Sequence, residues 1–224
     1  MCKLLFILCF FLTTDLVIGQ NMLELKILND SIKKVSYYDH NKIIYRIKNN
    51  SDVTYHLILD DNEFNEDPDY TIEPFFVGLP DYYIYHQDEK LIPEGSFGTH
   101  SKNKLFEFDP KSTDFINFKK KYSNIFNSTE IKIAYRISKK IVKLNPKEEK
   151  TFVTTINFPN YKSRFFHLNN KIKYKFQISL HVPKEIISKY YQAIIQKEDK
   201  KIHIFSGNLL SNKIPLVYEV YNGF

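Results

Sequence analysis

Lys171 to Val182, KIKYKFQISLHV, decides how the rest of the chain is read. Ile172, Tyr174, Phe176, Ile178 and Leu180 fall on one side of an extended backbone, with Lys171, Lys173, Lys175, Gln177 and Ser179 on the other. Side chains alternate across a strand, so this separation predicts an antiparallel sheet with one packed face and one wet face. The same alternation runs through Leu23 to Leu28 (LELKIL), Asn41 to Lys48 (NKIIYRIK) and Val53 to Leu59 (VTYHLIL). The last places Val53, Tyr55, Leu57 and Leu59 on one face. Asn49-Asn50-Ser51-Asp52 is a turn cluster, so the second and third of these runs are expected to form a β-hairpin.

Further strands are expected at Ile141 to Leu144 and Lys150 to Phe158. The polar turn between them carries Pro146, whose ring sets φ and removes a ladder donor. Lys201 to Phe205 and Leu216 to Tyr221 read as the closing strands, joined by a loop containing Gly207 and Pro215. Helical spacing is found at Pro183-Lys184-Glu185 and beyond, where Ile186, Ile187, Tyr190, Tyr191, Ile194 and Ile195 recur at three- and four-residue steps. Asp114 to Phe126 shows a weaker stripe of Phe115, Phe118, Tyr122 and Ile125. Residues 60–113 hold an acidic run, Pro68, Pro74, Pro80 and Pro93, and the aromatic cluster Tyr82-Tyr83-Ile84-Tyr85. They read as irregular loops with one or two strands, part of an insertion extending to about residue 130.

Strands joined by polar turns, without strand–helix–strand alternation, favour a sandwich. The strand, Asn/Ser turn and strand of residues 43–59, with Leu144-Asn145-Pro146-Lys147-Glu148 before Thr151 to Phe158, resembles immunoglobulin-like domains of bacterial secreted proteins. Both stretches are also similar to the BsuPI-type proteinase-inhibitor sandwich. The resemblance implies a mainly β fold: an immunoglobulin-like antiparallel β-sandwich with one amphipathic helix and a loop-rich insertion.

The first nineteen residues predict the compartment. Lys3 precedes the apolar run Leu4 to Leu12, and Val17 and Gly19 stand at −3 and −1 of a cleavage site before Gln20. This is the layout of a secretory signal, and its apolar stretch is shorter than the roughly 20 residues that cross a bilayer. Residues 20–224 are then expected to be a single exported domain, secreted or periplasmic. Cleavage removes Cys2 and Cys9, the two cysteines of the chain, and with them disulfides, thiol nucleophiles and thiolate metal sites. The core must carry the stability, and the abundant Tyr and Phe suit that task.

The net charge of +6 comes almost wholly from lysine, with Arg46, Arg136 and Arg164 the arginines. Interspersed acids make this a solvated surface, and no basic stripe points to nucleic acid. Sequons stand at Asn29, Asn49 and Asn127. Asp61, Glu63, Asn65, Asp67 and Asp69 set oxygen ligands at alternate positions, as calcium loops do. Glu66 stands where such a loop needs glycine, and Ile72 where it needs a bidentate acid, so a solvated acidic loop is the competing reading. The seven histidines show no metal-ligand spacing. Gly95-Ser96-Phe97-Gly98-Thr99-His100 lacks both the Gly-x-Ser-x-Gly elbow and a helix behind its glycines.

Tyr82, Tyr83 and Tyr85 are the candidate binding residues. Neighbouring side chains of a strand point to opposite faces, so one or two of these rings leave the core unless both faces are covered. Exposed, they would form a patch for a protein or glycan partner. The expected function is therefore binding, without a catalytic residue, and with no nucleic-acid partner and no permanent membrane span. Two alternatives stand beside it. One is a hydrolase whose site assembles only in three dimensions. The other is a structural component of an envelope assembly, which an exposed, unpaired edge strand would mark.

Overall fold

Alternation between buried and exposed side chains builds the first sheet. β1 (Leu23–Ile27), β2 (Asn41–Asn49) and β8 (Glu149–Ile156) lie antiparallel in the order β1-β2-β8. Leu23, Leu25 and Ile27 of β1, with Ile43, Tyr45 and Ile47 of β2, turn into the core. The computed structural model describes residues 22–33, 41–65, 76–95, 108–157, 160–161, 164–195 and 202–218. The expected signal segment lies outside these.

A second sheet has the order β12-β3-β7, formed by β3 (Thr54–Ile58), β7 (Ile141–Leu144) and β12 (Ile202–Ile204). β12 runs parallel to β3 and β7 antiparallel to it. The expected hairpin of residues 41–59 is therefore overturned. β2 pairs with β1 and β8, whereas β3 pairs with β7 and β12. The intervening turn is a corner between sheets, held by side chains rather than by a ladder. Ser51 donates from its N–H and its hydroxyl to Asn49 Oδ1, at 3.0 and 2.7 Å. Residues 145–148 make the matching corner between β7 and β8, with Lys147 in the left-handed region at φ 61°.

The largest sheet is built around the strongly alternating segment of residues 171–182. β11 (Tyr174–Val182) lies between β4 (Asp81–His86) on one side and β13 (Gly207–Leu210) and β14 (Ile214–Leu216) on the other. β5 (Glu89–Lys90) extends the sheet beyond β4. Within residues 60–113, read as irregular loops with one or two strands, β4 pairs with β11 from Tyr174↔His86 to Ser179↔Asp81 and is central to the sheet. Gly207 and Pro215 lie in strands rather than in one loop, since Pro215 sits opposite Lys175 in the short strand β14. A small sheet of β6 (Glu94–Gly95), β10 (Arg164–Phe165) and β9 (Asn160–Tyr161), in the order β6-β10-β9, stands beside it.

Three helices, instead of one, lie among the described residues. α1 (Thr113–Tyr122) is capped by Ser112 and buries Phe115 and Tyr122, as the weaker stripe suggested. α2 (Ser128–Lys139) was not read in the sequence. Asn127 Oδ1 accepts from the N–H groups of Thr129 and Glu130 at 3.0 and 2.9 Å, while Glu130 accepts from the Asn127 N–H at 3.0 Å. This reciprocal cap satisfies donors that a helix start leaves open. The third helix, α3, is α-helical over Lys184–Ile186, π over Ile187–Tyr191, and α again over Gln192–Ile195. Ile186, Ile187, Tyr190 and Tyr191 face the core, as their spacing predicted.

The chain is thus mainly β, with several antiparallel sheets and, among the described residues, three helices. The strand order does not establish an immunoglobulin-like sandwich. No helix among the described residues is long and apolar enough to cross a membrane.

Candidate functional site

The aromatic cluster divides along β4 by parity. Tyr82 and Ile84 point inward and are buried. Tyr82 stacks on Phe176 with ring centroids 5.7 Å apart and meets Phe64 edge-on at 5.5 Å. It belongs to the core. Tyr83 and Tyr85 point to the opposite face and stay partly exposed. The candidate binding face narrows to these two rings and their neighbours.

β11 supplies the other half of that face. Gln177 lies opposite Tyr83, Lys175 opposite Tyr85, and Ser179 opposite Asp81. The Tyr85 hydroxyl donates to Gln177 Oε1 at 2.8 Å, and Gln177 Nε2 donates onward to the Ser211 carbonyl at 2.7 Å. Ser179 Oγ donates to Asn208 Oδ1 at 2.8 Å. Gln177 and Ser179 were expected on a wet face but are buried, because these hydrogen bonds tie them to the segment that follows β13 and to β13 itself.

A lysine lies across each ring. Lys90 Nζ is 3.5 Å from the centroid of Tyr83, and Lys213 Nζ is 3.7 Å from that of Tyr85. An ammonium over a tyrosine face is attracted by the ring quadrupole. Burial raises the pKa of both phenols, and the nearby Asp81 charge adds to the rise at Tyr83. Burial lowers Lys90. The face thus presents neutral phenols with ammonium groups laid over them.

Asp81 anchors the strand at its start. Its carboxylate receives Arg164 Nη1 at 2.6 Å, and both side chains are buried. The same carboxylate accepts the Tyr82 N–H at 2.7 Å, while Arg164 Nη1 also donates to the Tyr82 carbonyl at 3.2 Å. Arg164 Nε and Nη2 have no hydrogen-bond partner among the described residues. The pair clamps β10 to the edge of β4 and so helps to set where Tyr83 emerges.

The other candidates are dispersed. Asp61, Glu63 and Asn65 lie in the segment after β3, with the Asn65 side chain buried, whereas Asp67 and Asp69 lie outside the described residues. Asp60, beside them, bonds Arg136 Nη2 at 2.9 Å and Lys140 Nζ at 2.8 Å. His167 meets Glu94 at 2.9 Å on the surface, and His56 bonds the Tyr191 hydroxyl in the interior. Residues 96–100 of the glycine–serine segment lie outside the described residues. No group of three His, Cys, Asp or Glu side chains is placed to hold a metal among the described residues.

No protein-family model matches this chain, and no curated protein matches it.

The sequence marks the strand that carries these tyrosines but not their partners. Lys90 and Lys213 lie 7 and 128 residues from the tyrosines they cover, and nothing in the local pattern joins them. The signal for Gln177 and Ser179 was parity alone.

Proposed function

We propose that this chain is an exported binding protein that engages a protein or glycan through the outer face of β4 and β11. The observation that carries the reading is the pair of half-exposed tyrosines, Tyr83 and Tyr85, each overlaid by a lysine ammonium within 4 Å. Tyrosine buries much area with few rotatable bonds, and here hydrogen bonding to Gln177 and packing against lysine hold the rings before any partner arrives. The lysines favour a partner carrying carboxylates among its apolar groups. Export rests on the signal-like first nineteen residues, and a sandwich-like scaffold on the packing of separate antiparallel sheets around one core.

The test is a crosslinked pull-down from the native host with wild-type chain and with Tyr83→Ser/Tyr85→Ser. A partner at near-equal amounts, lost from the double variant while its melting temperature is kept, supports the reading. Loss of stability with the captured proteins unchanged assigns both rings to packing instead.

A further inference from the structure

Edge strands display unpaired N–H and C=O groups, and β8 is a long one. Its inner neighbour is β2, paired from Asn41↔Ile156 to Lys48↔Glu149. The Asn49 N–H donates to the Glu148 carbonyl at 2.8 Å, which sets the phase of the ladder. By alternation Lys150, Phe152, Thr154 and Ile156 bond β2, whereas Thr151, Val153 and Thr155 turn their N–H and C=O outward. Among the described residues no strand pairs with that outer edge. The side chains of Thr151, Val153 and Thr155 are exposed as well. β-branched residues dominate the segment, and no proline or inward charge blunts it after Lys150.

Across the outer face runs a second feature. Val153 lies opposite Ile44, and the Ile44 carbonyl accepts the Leu28 N–H at 2.8 Å, so three aliphatic side chains form one row. Leu28 is 42%, Ile44 38% and Val153 50% exposed. The row ends at the open edge.

We propose that β8 is the seam of a symmetric dimer, pairing antiparallel with β8 of a second copy about a two-fold axis at Val153. Each Val153 then faces its counterpart, and Thr151 faces Thr155 of the other copy, in three residue pairs that exchange two backbone hydrogen bonds each. The aliphatic row continues across the axis, and the two three-stranded sheets become one. Charge rules out two neighbouring registers. Axes at Glu149 or Lys150 set like charges directly opposite one another, which destabilises a pair, whereas an axis at Val153 sets none. An axis at Phe152 would run the aliphatic row into the basic row of Arg46 and Lys26 of the other copy. An isologous contact of this kind closes on itself and does not propagate. Strand pairing alone is a small interface, so the dimer is of the weak, concentration-dependent class. The inference is independent of the tyrosine face, which lies on another sheet.

Cysteine crosslinking tests the register in the full chain carrying Cys2→Ser and Cys9→Ser. Directly opposed residues in a hydrogen-bonded pair have Cα atoms about 5.5 Å apart, within disulfide reach. Val153→Cys is expected to crosslink alone, and Thr151→Cys and Thr155→Cys to crosslink when mixed with each other and not singly. Equal crosslinking of all three, or none at Val153→Cys, overturns the proposal. Sedimentation over a concentration series adds a readout without oxidation. Wild-type mass should rise toward the dimer, and Val153→Lys should weaken association about tenfold or more. A wild-type chain that stays monomeric throughout removes the self-pairing and leaves the edge to a strand from another protein.

Discussion

The side-chain amide of Asn49 donates to the carbonyl of Leu144 at 3.2 Å, although the two residues are 95 apart in the chain. Asn49 Nδ2 also reaches the carbonyls of Asn145 at 2.9 Å and Val53 at 2.7 Å. Asn49 closes β2 and Leu144 closes β7, so one buried amide joins the two corners at which the chain passes between sheets.

Replacing Asn49 by Ala removes those donors and also the Oδ1 acceptor of the buried Ser51 N–H and hydroxyl, although the Val53 and Asn145 carbonyls keep Ser51 Oγ and the Glu148 N–H as partners. Such losses cost about 1–3 kcal/mol each group at most and are partly shared, so a total near 2–3 kcal/mol is expected. At this chain length that lowers the melting temperature by roughly 4–10 °C, which thermal unfolding checks. The same burial makes Asn49 a poor glycosylation acceptor once folded. Peptide mapping after expression in a glycosylating host should find its sequon unmodified in the folded fraction.

The tyrosine cluster should separate by parity in a stability measurement. Tyr82→Ala empties a stacked core site and should cost about 3–5 kcal/mol by urea unfolding. Tyr83→Ser and Tyr85→Ser, on the partly exposed face, should each cost about 1 kcal/mol or less. Equal costs at all three positions would place the whole cluster in the core and withdraw the binding face.

Asp81 and Arg164 should behave as one unit. Asp81→Ala leaves a buried guanidinium uncompensated and should destabilise by about 3–5 kcal/mol. Asp81→Ala combined with Arg164→Met should cost clearly less than the sum of the single changes, because no buried charge is left alone. A double-mutant cycle with additive costs contradicts the pairing.

Asp60 ties stability to acid pH. Burial alone pushes its carboxyl up, but hydrogen bonds and charge from Lys140 and Arg136 outweigh this and hold it below its ordinary value of 3.8. A depressed carboxylate contributes in full above the unfolded-state value and loses that contribution as pH falls through the folded one. Stability should therefore drop as pH is lowered below about 3.8, and Asp60→Asn should flatten that acid limb while lowering stability at neutral pH. Denaturation midpoints from pH 2 to 7 measure both.

The legible parts were those in which one chain segment carries its own pattern. β11 alternates because its inward face is apolar, and α3 shows its stripe because Ile and Tyr recur at helical steps. β4 was obscured by the prolines and acids around it, although its alternation of Tyr82 and Ile84 inward with Tyr83 and Tyr85 outward is that of a central strand. α2 went unread even though Asn127 and Glu130 spell a capping box, because Asn127 was read only as a sequon and its segment as the end of the insertion. The supposed hairpin failed for a different reason. A polar four-residue stretch is compatible with a tight turn and with a corner alike, and only the partners of the flanking strands distinguish them.

By itself the sequence determined that this chain is mainly β, where its best strands and two of its helices lie, and which strand carries the aromatic cluster. Those features depend on the periodicity of neighbouring side chains, which is local. The tertiary structure alone decided that β2 and β3 belong to different sheets, that Lys90 and Lys213 cover Tyr83 and Tyr85, that Asp81 meets Arg164, and that β8 is an edge among the described residues. Apart from Lys90 and Tyr83, which the turn between β4 and β5 brings together, these relationships depend on segments far apart in the chain. Backbone hydrogen bonds are alike for every residue, so which strands meet is chosen by the burial of the whole core and leaves no mark within either strand alone.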